Sequence, residues 1–149
     1  MTSLVTLAHR VSGIYTRYSK IHSAVFAFSL SRLMPRRDES SPAACRHQSE
    51  LVELQGELEK LHTLVAGDQI LEPNTTLGRE FASAMDEYLA ALLNSVKQLA
   101  TICGRRCQEK MGVERYGEKE SRGDRVNYDQ SVQIYQRCGE RLSLLFRRL

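Results

Sequence analysis

Residues 51–65 read LVELQGELEKLHTLV. Leu51, Leu54, Leu58, Leu61 and Val65 lie alternately three and four residues apart, while Glu53, Glu57, Glu59 and Lys60 fall between them. An α-helix turns once every 3.6 residues, so this spacing stacks the apolar side chains in one stripe and puts the charges on other faces. A strand alternates its side chains with period two and cannot produce that pattern. Gly67-Asp68 ends the segment, as glycine does after a last helical turn.

Working outward, the same alternation recurs on both sides. Upstream, Leu4, Leu7, Val11, Ile14, Tyr18, Ile21, Val25 and Phe28 make a seam of more than three heptads. Arg32 takes the next seam position and Pro35 follows, so the helix is expected to end near Met34. Gly13 weakens it by about 1 kcal/mol relative to alanine. Residues 35–45 (PRRDESSPAAC) are polar and turn-rich, a loop or linker. Downstream, Asn74-Thr75-Thr76 behind Pro73 offers a side-chain cap, with Glu80 placed early enough to favour the positive helix end. Leu77, Phe81, Met85, Tyr88, Leu92, Val96, Leu99 and Cys103 follow as a stripe, widened by Leu89 and Leu93. That width suits a central helix touching two neighbours. Residues 112–123, rich in glycine and mixed charge, read as an exposed loop. Asp124 is a plausible cap for a last helix lined by Tyr128, Val132, Tyr135, Cys138, Leu142, Leu145, Phe146 and Leu149. Gly139 within that stripe hints at close approach by a neighbour.

The expectation is an all-α chain, an antiparallel four-helix bundle with coiled-coil-like heptad seams. Its helices span about 3–34, 46–66, 76–111 and 124–149, within one helical domain covering 1–149. There is no convincing repeat and no long strand-like alternation. Hydrophobic residues at 42% and charged residues at 26% fit a folded domain rather than a disordered chain.

Charge is unevenly spread. Residues 1–37 carry Arg10, Arg17, Lys20, Arg32, Arg36 and Arg37 and no acid, leaving 15 basic and 18 acidic side chains on the other 112. An Arg- and Ser-rich amphipathic start of this kind resembles, in composition, a mitochondrial targeting segment, or a helix lying on an anionic membrane. Its regular seam favours a first bundle helix. Nucleic-acid binding is not expected, because the bases are scattered around the helix and no aromatic stacking platform accompanies them. No apolar run is long enough to span a membrane, and no secretory signal is evident. The four cysteines (Cys45, Cys103, Cys107, Cys138) are therefore expected to be reduced thiols, in a cytoplasmic or nuclear protein.

Chemical motifs are sparse. Cys103 and Cys107 share a helix face, and Cys45 with His47 would be the other half of a metal site, but the paired-cysteine knuckles that make zinc binding credible are missing. His9, His22, His47 and His62 match no zinc or hydrolase spacing, and Gly112, Gly117 and Gly123 are too far apart to cradle phosphate. Arg122-Gly123-Asp124 and Asn74-Thr75-Thr76 spell an adhesion tripeptide and a glycosylation acceptor, both relevant only outside the cell. No cofactor, metal or catalytic residue is expected.

The function that fits is a non-enzymatic helical adaptor or assembly subunit of a multiprotein complex, working by helix–helix docking with helical protein partners, with homo- or hetero-oligomerisation part of that role. Candidate partner-binding residues are Leu51, Leu54, Leu58 and Leu61, and the cationic cluster Arg32, Arg36 and Arg37. Two alternatives stand beside it. One is a mitochondrial protein with residues 1–37 as targeting helix and a three-helix body. The other is a small metal-binding or thiol-dependent helical protein using Cys45, Cys103 and Cys107.

Overall fold

A computed structural model describes residues 3–26, 40–67 and 75–148, which form four α-helices and, among the described residues, no strand. These are α1 (Leu4–Phe26), α2 (Ser40–Ala66), α3 (Thr76–Lys110) and α4 (Glu118–Phe146). Expected helical residues 27–34 and the start of the first loop lie outside the described residues.

The helices run up, down, up, down. Cys45 at the start of α2 meets Cys107 at the end of α3, while His62 near the end of α2 lies 2.9 Å from Asp86 near the start of α3. Arg105 and Asp124 (2.7 Å) pair α3 with α4 at one end, and the rings of Phe81 and Phe146 meet at the other. Arg17 reaches Glu57 of α2 at 2.7 Å, and Tyr15 and Phe26 bracket the contact of α1 with α4. Its wide stripe implied two neighbours, and α3 packs against all three other helices.

The seams are the core. Leu4, Leu7, Val11, Ile14, Tyr18, Ile21 and Val25 are all buried in α1, as are Leu51, Leu54, Leu58, Leu61 and Val65 in α2. Each such side chain contributes roughly 1.5–3 kcal/mol gross when taken out of water. Along α4 the burial thins: Tyr128, Tyr135 and Leu145 are buried, Val132, Cys138 and Leu142 only partly, and Phe146 is exposed.

Helix ends depart from expectation at two places. Residues 40–45 belong to α2, not to a loop, because Pro42 sits in the first turn, where its missing N–H costs no hydrogen bond. Residues 118–123 likewise belong to α4. Glu118 and Glu120 favour its positive end, and Gly123 is accommodated inside the helix. Asp124 is therefore no cap. Its carboxylate accepts from Arg105 and from the Tyr116 hydroxyl, each at 2.7 Å, and ties the α3–α4 corner. The Thr75 hydroxyl does cap α3, accepting from the Gly78 N–H at 2.9 Å. Glu80 lies beyond that helix's first turn. At the other end Gly112 (φ 74°) terminates α3, with the Val113 N–H returning to the Gln108 carbonyl at 2.9 Å and the Gly112 N–H to Glu109 at 3.1 Å. A side chain with a Cβ is strained there.

The thiol expectation is also corrected. Cys45 and Cys107 form a disulfide, their Cα atoms 4.9 Å apart, because antiparallel α2 and α3 bring together residues 62 apart in sequence. Cys103 and Cys138 are free. Disulfides persist in oxidising compartments, so the thiol argument for a cytoplasmic or nuclear location falls away. Among the described residues no helix is long and apolar enough to cross a membrane.

Candidate functional site

Where α1 faces α4, the side chains change size along the helix. Toward its C-terminal end α1 presents the rings of Tyr18, His22 and Phe26. Phe26 stacks on Tyr128 (centroids 5.4 Å), and the Arg125 guanidinium sits 3.7 Å over the Phe26 ring. Tyr18 and Tyr128 are hydrogen-bonded through their hydroxyls, and the Tyr128 hydroxyl lies 2.6 Å from His22 Nδ1. Tyr135 meets Tyr15, Tyr18 and Tyr88 edge-on. Such edge contacts add to burial because ring edges are positive and ring faces negative.

Burial raises the phenols of Tyr18, Tyr88, Tyr128 and Tyr135 above their ordinary range, so they remain protonated and act as hydrogen-bonding anchors. Burial, and then the nearby Arg125 charge, lowers the pKa of His22, while Asp129 opposes them. The imidazole is accordingly neutral at pH 7.

Toward the start of α1 the facing residues are small, Ala8 and Ser12, and opposite them α4 offers Gly139 and Ser143. Large rings prop the helices apart at one end, and at the other no side chain of the described residues fills the space. The result is a groove of about 1120 Å³ between α1 and α4, floored by Phe81, Met85 and Tyr88 of α3. Gly139 helps set its depth: a Cβ there would come within 3.0 Å of the Tyr88 ring. On or beside its rim Tyr15 is 37%, Phe146 42% and Leu144 61% exposed, enough apolar surface to leave a contact face uncovered. A smaller crevice of about 380 Å³ between α3 and α4 is lined by polar side chains, including Asn94, Gln98, Asn127 and Gln130.

The groove's charges are few. Glu140 and Arg147 lie on the α4 wall and His9 on the α1 wall. Glu140 and Arg147 are exposed and have no ion-pair partner among the described residues.

The residues singled out from sequence fall elsewhere. Leu51, Leu54, Leu58 and Leu61 are fully buried against the chain's own helices and have no surface left for a partner. Arg32, Arg36 and Arg37 lie outside the described residues. The cysteines proposed for a metal site are divided, with Cys45 and Cys107 in the disulfide and Cys103 buried, its thiol pushed up to about 11 by desolvation. Among the described residues no group of three or more metal-binding side chains converges. Tyr15 and Leu144 escaped the sequence reading, and Phe146 reads there as part of the apolar face of the last helix, not as a groove border. The signal available was the run Leu144-Leu145-Phe146, three apolar residues on a helix that can bury only one face.

Set against protein-family models, curated proteins and solved structures, the chain matches none.

Proposed function

We propose that this chain is a non-enzymatic helical adaptor or assembly subunit that takes an α-helix of a protein partner into the groove between α1 and α4. One observation carries the reading: a groove of about 1120 Å³, floored by Phe81, Met85 and Tyr88 and bordered by Tyr15, Leu144 and Phe146, whereas the α3–α4 crevice is smaller and polar. The α4 wall from Tyr135 to Arg147 is about 18 Å long at 1.5 Å per residue, the length of three turns of an inserted helix. Recognition of this kind reads apolar anchors at i, i+3, i+4 and i+7. The mitochondrial alternative, with residues 1–37 removed, is less well supported, because it would discard α1 and with it one wall of the groove.

The test is a photo-activated cross-linking amino acid at Leu144, with the same group at exposed Val52 on α2 as the control. Cross-linked peptides identified by mass spectrometry should come from a helical segment with an apolar stripe, and only from the Leu144 position. No cross-link at Leu144, or equal yield from Val52, overturns the reading.

A further inference from the structure

Glu140 and Arg147 are seven residues apart, and because Arg147, the residue that follows α4, keeps helical backbone angles (φ −64°, ψ −20°), they lie two turns apart on the same stripe. Among the described residues they are the only carboxylate and guanidinium on the α4 wall of the groove, and neither is paired there. A foreign helix would have to bring a matching base and acid at the same spacing. A second copy of this chain already has them, in the reverse order that an antiparallel approach requires.

We propose that the helix docked on this face is α4 of a second copy, paired antiparallel about a two-fold axis passing between Ser143 and Leu144. Glu140 of each copy then faces Arg147 of the other, and the two ion pairs form reciprocally. A closed two-fold pairing needs this self-complementarity, in which residue i meets j and j meets i. The parallel arrangement would set like charges opposite each other. Close to the axis Ser143 is small, so the backbones can approach to about 8–10 Å. Leu144, the most exposed apolar side chain of this wall, meets its own counterpart across the axis. The contact spans few turns, which puts it at the small end of stable interfaces, with dissociation in the roughly micromolar range. This inference rests on the groove reading above and names its partner.

The experiment is sedimentation equilibrium of the full chain with two charge reversals, Glu140→Arg and Arg147→Glu. Both sites are exposed, and unchanged circular-dichroism melts would establish that the variants fold. The parent should sediment at twice the chain mass. Each variant alone should dimerise at least roughly tenfold more weakly, because each reversal places like charges at both symmetry-related contacts. Mixing the two variants should restore a dimer, since one copy's two bases then face the other's two acids. A monomeric parent at high concentration, or variants that dimerise as the parent does, would overturn the inference. Failure of the mixture to recover would do the same. In those cases a Leu144 cross-link to another protein's helix would still leave the groove reading standing. A dimer sensitive to both reversals but giving no Leu144 cross-link would support α4 pairing by charge and remove the groove.

Discussion

Breaking the Cys45–Cys107 bond, by reduction or as Cys107→Ser, should cost this bundle a large part of its stability. The bond closes a loop of 62 residues in the unfolded chain. The loss of unfolded-state entropy for a loop of that length corresponds to about 4 kcal/mol at 25 °C in the chain-entropy treatment. At about 2.1 cal/mol/K of unfolding entropy per residue, a chain of 149 residues shifts its melting temperature by about 3 °C per kcal/mol, so the drop should be about 12 °C. The free thiols offer little internal rescue. Burial pushes the Cys103 thiol up to about 11, leaving scarcely any thiolate at neutral pH to attack the disulfide. Denaturant unfolding with and without reductant, followed by circular dichroism, reads the effect directly. The Cys107→Ser protein should be insensitive to reductant, and the oxidised parent, once unfolded, should titrate two thiols, those of Cys103 and Cys138. Coincident unfolding midpoints with and without reductant, together with four titratable thiols, would refute the argument.

Three further outcomes follow from the α1–α4 contact. Tyr128→Phe removes the hydroxyl shared by Tyr18 and His22 and should destabilise the fold by about 1–3 kcal/mol in urea unfolding, the cost of stranding a buried polar partner. His22 and His47 both have pKa values lowered by burial from the ordinary 6.5, so above that pH folded and unfolded chains are equally deprotonated at these sites. As the pH falls through 6.5 the unfolded chain takes up protons that the folded one does not, so the melting temperature should decline. His22→Phe should flatten that decline, and an unchanged slope would count against the assignment. Deletion of residues 1–37 should abolish the cooperative melt or bring aggregation measurable by light scattering. A shortened chain that melts as the parent does would refute the placement of α1 in the core.

The seams were legible because burial on one side of a helix leaves a 3.6-residue mark that no later contact can erase: Leu51 to Val65 were read and found buried. The wide stripe of α3 and the glycine at 139 also carried meaning, the one as contact with two neighbours where the structure has three, the other as a close approach, to Tyr88. Helix ends were less legible, because one residue serves opposite local purposes. Pro42 breaks a helix from within and begins one from its first turn. Asp124 has the composition of a cap, yet its carboxylate was engaged by Arg105 and Tyr116 from outside its own helix. The disulfide left no local mark, and the groove left only the run Leu144-Leu145-Phe146. The first depends on the register between α2 and α3, the second on Ala8 and Ser12 coming to face Gly139 and Ser143 while Tyr18 and His22, on the same helix, hold Tyr128 at ring distance.

The first helix therefore decides between the readings. Its acid-free, Arg-bearing composition is shared by targeting segments and by bundle helices, and composition alone cannot separate them. Their demands on the apolar stripe differ. A targeting segment must offer that stripe to a receptor, whereas here all seven seam residues from Leu4 to Val25 are buried. At roughly 1.5–3 kcal/mol gross for each buried side chain, their removal forfeits more than 10 kcal/mol of gross burial, as much as the whole net stability of a typical domain. It would also open the floor residues Phe81, Met85 and Tyr88 to water and leave the Glu140–Arg147 wall with no groove beside it. Docking on α4 and removal of α1 are thus competing uses of the same apolar surface, and the burial of the α1 seam favours the first.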